Sequence, residues 1–582
     1  PDPENRPRVE SSEFATAGLF NTPFVKLAAL GDFEFDRLAG ADDPAYLAET
    51  VEVRLSDEIK AQAEALEYDP VKIYHWVRNT IDWQPTWGAV QDADLTLAAK
   101  RGNAMDIASL TIALLRASQI PARYVHGTID VPADDFMNWA GGFENIQAAG
   151  DFAASGGIPL VSMVEGGQVT KVRMEHIWVE AATDYYPSRG AINRSADSWV
   201  SMDPSFKRYE FVPALDVIQI SGLDINQLNQ DFIDSGSFNE TEGWGTGFDP
   251  SILQDAQDQV QQAVEQHIQN TMTDPTVGDV IGGRKTIVKE YPVLPSSLPN
   301  DIVTTGVRYD QLPGQLQQQI TLGLGSDLFG YAQNEITFPW PQVNNQKITL
   351  SFRPSSEADE RALQSLLPEG LITDIGQLPS SIPAYLINVV PELKVNGDLV
   401  KSGNTMRMGY ELDLVTKIHF PGRSSSPKNS YKVIAGSYLS VNVIAGNVSA
   451  SKLQDLRSRL EQTKTVIESN DEAQISSITQ ESLLGDVFYA ATLGYYSQLI
   501  TLAGTSGISH GGYQNLAAGY GTIGYEPKVS YFFGIPRGIE KGWVTFDIPY
   551  ITTSSVKDGN VESEKRYLCL LYTSPSPRDR YI

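Results

Sequence analysis

Three segments hold the residues whose types could do chemistry. The first is Gly102-Asn103-Ala104-Met105-Asp106-Ile107-Ala108-Ser109-Leu110. The second is Glu175-His176-Ile177-Trp178-Val179-Glu180. The third is Trp199-Val200-Ser201-Met202-Asp203-Pro204-Ser205. A histidine can carry a proton near neutral pH, and a carboxylate or hydroxyl beside it can take part in proton transfer. The other histidines, His75, His126, His267, His419 and His510, show no metal-ligand spacing. The string Ala517-Ala518-Gly519-Tyr520-Gly521 ahead of Gly524 is no phosphate loop, because no Lys-Ser/Thr follows it. The Asp-rich stretch from Asp231 to Asp249 lacks the spacing of a calcium loop. No cofactor and no metal is expected.

The elements that must carry these residues can be read from periodicity. Ser56 can cap a helix whose Ile59, Ala63 and Leu66 recur at helical spacing. Asp69-Pro70 starts a second helix with the buried face Ile73, Trp76, Val77 and Thr80. A third helix runs from about Ala104 to Ser118 and ends at Ile120-Pro121. Strands then follow: Ala122 to Val131, Val172 to Ala182 and Trp199 to Asp203. Residues 132–170, rich in Gly and Ala, read as an insertion or lid. Helices followed by antiparallel strands indicate an α+β domain.

In order, the three segments resemble the signature blocks of the transglutaminase-like family, of the papain-like cysteine hydrolase class. The family pattern is Gly-x-Cys-x-Asp at a helix start, with Arg-Ala-x-Gly-Ile-Pro-Ala-Arg at that helix's end. Next comes His-x-Trp-Val-Glu on a strand, and then Trp-x-x-x-Asp-Pro. The resemblance covers residues from about 45 to 210. It implies His176 as the base, Asp203 as the group that orients it, and Ala104 at the place of the nucleophilic cysteine. In such a site a thiolate sits at a helix N-terminus, where the dipole and free N–H groups stabilise it. The His takes its proton, the Asp fixes the His tautomer, and backbone N–H groups hold the oxyanion. A methyl group at residue 104 cannot form an acyl-enzyme. A bacterial branch with the string Gly-Asn-x-x-Asp-x-Ala is similar in lacking this cysteine.

Neighbouring residues have plainer readings beside functional ones. Ser109 lies more than one helical turn deeper than Ala104, pointing into packing rather than replacing the thiol. Asp106 can cap the helix or bond Arg123, and is the other substitute for the missing nucleophile. Asn103 reads as the helix cap before it reads as an oxyanion donor. Trp178 and Trp199 are core residues or a substrate platform. Asp203 before Pro204 could be a turn residue alone. Arg116 and Arg123 read as ion-pair partners near the helix end.

Composition bounds the rest. The chain has 582 residues, enough for three to four domains, and 41% apolar with 20% charged residues fits folded domains. Net charge is −28, with no basic cluster, so nucleic acid is not an expected partner. No apolar run of about 18 residues appears, so membrane insertion is not expected. The single cysteine, Cys569, opens Leu570-Leu571-Tyr572-Thr573-Ser574-Pro575, a string that resembles a translated sequencing adapter. The start, Pro-Asp-Pro-Glu-Asn, has no initiating Met. A longer natural chain is expected at both ends.

The expected organisation is multidomain. A tail (1–40) precedes an α+β papain-like, transglutaminase-like domain (41–215). A polar linker with a docked helix from Ser251 to Met272 follows (216–290). Then come β-sandwich-like modules (291–449), a helical hairpin (450–515), a β-rich segment (516–567) and the adapter-like tail (568–582). The order of parts is similar to the N-terminal portions of large exported bacterial proteins, toxin-like ones among them. The expected role is a catalytically inactive module, structural or binding a protein or peptide, at the bacterial surface or outside the cell. The alternative is a peptidase or acyltransferase that acts on peptide or isopeptide bonds through a nonstandard site with His176 and Asp203.

Overall fold

Helix starts in the first third of the chain follow their caps. Ser56 accepts from Ile59 N ahead of α1 (Asp57–Ala65). Asp69 accepts from Val71 N ahead of α2 (Pro70–Thr80), whose Pro sits where a missing N–H costs nothing. A short strand β1 (Asp82–Trp83) and helix α3 (Ala93–Ala99) lead to β2 (Arg101–Gly102), which pairs in parallel with β1. Helix α4 (Ala104–Ala117) starts at once after β2, and every one of its residues is buried. A computed structural model describes residues 38–569 of the chain. Left out within that span are 192–194, 213, 240–243, 274, 276–278, 281, 326–332, 369–376, 378, 423–427, 447, 470, 510–517 and 558–559. Of the expected tail (1–40) only residues 38–40 are described, and of the adapter-like tail (568–582) only Leu568 and Cys569, which end a strand; the rest of both lies outside the described residues.

Alternating residues then build the sheet that carries the second and third segments. Strand β3 (Ala122–Pro132) pairs antiparallel with the long β5 (Gln168–Thr183), placing Gly127 opposite His176. Between them the expected lid is two packed helices, α5 (Ala133–Ala140) and α6 (Ile146–Ser155), and strand β4 (Leu160–Glu165). Phe136, Trp139, Phe152 and Ala153 on these helices are fully buried. Residues 132–155 are therefore a wall of the domain rather than a free flap. Strand β4 pairs with the first half of β5, and β6 (Ser198–Met202) pairs with its last residues. The other edge is β11 (Asp301–Tyr309), from beyond the expected boundary at 290, which pairs with β3.

The segment expected as a linker is more built than one docked helix. Strand β7 (Tyr209–Val212) pairs with β10 (Gly283–Thr286). Between those strands stand α7 (Val217–Ser221), α8 (Ile225–Ser235), the hairpin β8 (Ser237–Asn239) and β9 (Trp244–Thr246), and α9 (Ser251–Thr271).

The remainder is rich in sheet. One sheet has the order β13-β12-β17-β18, from β12 (Gln319–Gly325), β13 (Gln333–Pro339), β17 (Glu411–His419) and β18 (Lys428–Ile434). A larger sheet includes β14 (Ile348–Pro354), β15 (Asn388–Val395), β16 (Asp398–Ser402) and β19 (Tyr438–Ala445), continued by β20 (Ala518–Phe532), β21 (Ile535–Lys557) and β22 (Asn560–Cys569). Ile320, Leu322 and Leu414 of the first sheet share a core with Leu350, Val441 and Val443 of the second. The alternation from Lys432 to Val443, which taken alone would predict one strand within the β-rich region, does not form one. The stretch is two strands, because Gly436 at φ +116° turns the chain from one sheet into the other. Helix α10 (Ala450–Glu468) and helix α11 (Asp486–Ser509) pair through Leu456, Tyr489 and Leu493 and rest on Ile444 of β19. Among the described residues no helix is long and apolar enough to cross a membrane.

Candidate active site

The first segment is a helix start whose polar groups are fully committed. Asn103 Oδ1 accepts from Met105 N (2.9 Å) and Asp106 N (3.1 Å). Asp106 Oδ2 accepts in return from Asn103 N at 3.1 Å, closing a reciprocal capping box. Asp106 Oδ1 takes Val90 N (3.0 Å) and Gln91 N (3.1 Å) from the preceding loop. Asn103 Nδ2 donates to Gly88 O in that loop at 2.8 Å. Burial pushes the Asp106 carboxyl up to about 6, although its backbone hydrogen bonds pull the other way. Asp106 thus caps the helix, and Arg123, its other expected partner, pairs with Glu180 instead. Ala104 is the first helical residue, with 7% of its surface exposed.

Ser109 is likewise occupied. Its hydroxyl bonds Met105 O and Tyr124 OH, both at 2.8 Å, and it is fully buried. Neither expected substitute for the thiol offers a free nucleophilic atom. Arg116, expected in an ion pair, instead donates to the carbonyls of Ala48, Ala122 and Asp310. It ties the end of the helix to chain on both sides.

The second and third segments meet. His176 on β5 and Asp203, just past β6, approach to 2.9 Å between Nε2 and Oδ2, and both are buried. Ser205 donates its hydroxyl to Asp203 Oδ1 at 2.6 Å and its backbone N–H to the same oxygen at 3.0 Å. The Ser205 hydroxyl also lies 3.3 Å from His176 Nε2. With that hydroxyl's proton given to Asp203, the geometry assigns the imidazole proton to Nε2 and leaves a lone pair on Nδ1. Nδ1 is buried without a hydrogen-bond partner among the described residues. Burial pushes Asp203 up, but His176 and Ser205 overcome it, and the carboxyl is held below its ordinary range. The Asp203 carboxylate thereby fixes the ring of His176 and its tautomer.

Residues outside the three segments seal this pair. Trp139, on α5, meets His176 in a T-shaped contact with ring centroids 5.6 Å apart. Its Nε1 donates to Ser205 O. Trp139 also stacks on Trp83 at 4.1 Å, and Trp83 is the strand partner of Gly102. The indoles thus link the histidine to the start of the helix. Behind them Arg284 reaches from β10 to Asp82 Oδ2 (2.8 Å) and Trp83 O (2.9 Å), lying 4.3 Å over the Tyr209 ring. Lys207 is fully buried, and its ammonium donates to Ile81 O. Burial pushes Lys207 down to about 7 against the pull of Asp82.

The two expected tryptophans divide. Trp178 is core: it packs over Gly127, where a Cβ would lie 2.5 Å from the ring and 2.3 Å from Thr304 O. Trp199 is partly exposed and stacks under the Arg123 guanidinium at 3.8 Å. Trp139, Ser205, Lys207 and Arg284 were not singled out in sequence. Asp203-Pro204-Ser205 carries an available signal, since a hydroxyl two residues after Asp often closes such a turn. The others act through tertiary contacts that local pattern does not encode. Among the described residues, no three His, Cys, Asp or Glu side chains gather as a metal cage.

His176 on β5 and Asp203 just past β6 form a buried pair, and the capped helix that begins at Ala104 carries no thiol. Residues 53–204 match the family model of the transglutaminase-like superfamily, and the chain carries a transglutaminase-like domain over that span. A search of curated proteins gives no match.

Proposed function

We propose that the transglutaminase-like domain is catalytically silent and serves as a structural and protein-binding module of a large exported bacterial protein. The observation that carries this reading is the state of residues 103–109. The nucleophile position is a methyl, and both nearby oxygen groups, Asp106 and Ser109, are spent on the helix start and on Tyr124. The loop over the helix start is also fastened to the downstream sheets, which supports a scaffold role. Ala89 N donates to Leu316 O, Gln318 N to Ala89 O, and Asn344 Nδ2 to Val90 O. Gly88, at φ +91°, lets this loop pass Pro421, whose ring a Cβ would meet at 2.6 Å. The two facing sheets of residues 319–445 are then a β-sandwich-like module that the domain holds in place.

A second reading rests on the unpartnered lone pair of His176 Nδ1. A peptidase or acyltransferase working through activated water would use that atom, with Asp203 in support. One experiment separates the two. The natural chain is incubated with a glutamine-donor peptide, a labelled amine and a peptide library, beside His176→Ala. Equal, background signal in both is the expected result. Turnover in the natural chain that His176→Ala removes would establish the second reading instead.

A further inference from the structure

The helical excursion between β7 and β10 carries a charge that nothing within it cancels. Residues 209–283 contain thirteen Asp and Glu and not one Lys or Arg, in a chain whose net charge is −28. Its helices hold their acids with neutral partners. Gln227 donates to Asp231, Gln230 to Asp234, Gln254 to Asp258 and Gln261 to Glu265, each four residues apart. A Lys or Arg at that spacing would pair with the acid and cancel its charge. Glutamine satisfies the hydrogen bond and leaves the charge in place. Among the described residues these acids form no metal cage.

The same excursion holds an apolar groove. Helices α7, α8 and α9 border an open groove of about 560 Å³, lined by Val217, Leu223, Leu228, Leu253, Val260 and Val264 among others. Leu253, Val260 and Val264 recur at helical spacing along one stripe of α9, and Leu253 is 45% exposed. Glu265 is part of the groove wall, and Asp224 follows Leu223 in the chain. Ile218 and Ile225 nearby are also exposed. An apolar trough with Glu265 in its wall, in a segment that has no Lys or Arg, is complementary to one kind of surface. An anionic membrane or a nucleic acid would be repelled by the same charge.

We propose that this groove docks a basic amphipathic helix of a partner protein. The partner's apolar stripe would lie on Leu253, Val260 and Val264, and its Lys and Arg would meet Glu265 and the other acids of the excursion. The assignment is independent of whether His176 retains any activity.

The test uses the full chain and a fluorescent Leu/Lys peptide of roughly 18 residues, with Leu at helical spacing. Controls are the same composition scrambled, and a Leu/Glu version. Saturable binding of the periodic peptide alone is expected, with hydrogen exchange slowed in residues 217–265. Val260→Asp should weaken binding about tenfold or more, and Glu265→Lys by a smaller factor that shrinks as salt is raised. Glu265→Lys alters an exposed side chain, and exchange on the natural chain requires no variant, so a misfolded Val260→Asp leaves the test intact. Equal binding of the scrambled peptide, or protection mapping outside 217–265, would overturn the proposal. So would sedimentation showing that a second copy of the chain already covers the groove.

Discussion

Replacing Asn103 with Ala separates its two readings, as helix cap and as oxyanion donor. The substitution removes two accepted bonds, from Met105 N and Asp106 N, and two donated bonds, to Gly88 O and Thr86 Oγ1. Asn103 is fully buried, so water does not replace them. Losing an N-cap costs about 1 kcal/mol. Leaving buried backbone groups without partners adds roughly 1–3 kcal/mol. The sum, about 2–4 kcal/mol, is best read locally, since a multidomain chain does not melt in one step. Hydrogen exchange in residues 104–117 should speed up by about 30- to 800-fold, at a factor of ten per 1.4 kcal/mol. Asn103→Ser restores an acceptor for the helix but cannot span to Gly88, and should recover roughly 1 kcal/mol. Equal exchange in the Ser and Ala variants, or an Ala variant indistinguishable from the natural chain, would refute the capping argument.

Two further expectations follow from the buried groups around the site. The Lys207 pKa is lowered from 10.5 to about 7, so the unfolded chain binds more protons between those values. Stability from this group is complete above the unfolded value and is lost as pH falls toward 7. Domain stability should therefore rise from pH 7 to 9 by up to about 1.4 kcal/mol per unit, and Lys207→Met should flatten the rise; parallel curves for the two proteins would count against a neutralised lysine. Trp139 shields His176, so diethyl pyrocarbonate should modify His267 and spare His176 in the folded natural chain, as read by peptide mass. Trp139→Ala should cost roughly 3–5 kcal/mol and expose His176 to the reagent; equal labelling of His176 and His267 in the natural chain would contradict the sealed site.

Local chemistry carried much of the first domain. Ser56 and Asn103 are caps in sequence and in structure, and Asp69, read only as a helix start, is one in structure, because a side-chain acceptor beside a helix start acts within three residues. The alternation over 122–131 and 172–182 marked two strands that do pair. His176 and Asp203 could be placed together only through the order of three segments, since 26 residues separate them in the chain. What escaped depends on long-range packing. Nothing in Ala133–Ala140 says that Trp139 will rest on His176, and nothing in residues 301–309 says that they will join the sheet of β3. The reading of Arg116 as an ion-pair partner failed for the same reason, because its three carbonyls lie in separate parts of the chain. The glutamine-rich stretch 216–290 gave the composition of a linker, and its α8 and α9 form around a thin apolar stripe.

The central claim is that base and orienter stand ready around a missing nucleophile. Its most direct test is the thiol pKa of Ala104→Cys in a Cys569→Ser background, followed by thiolate absorbance. The account predicts a pKa below the ordinary value of about 8.5 that climbs back when His176→Ala is added. A thiol titrating at or above the ordinary value, indifferent to His176, would contradict it.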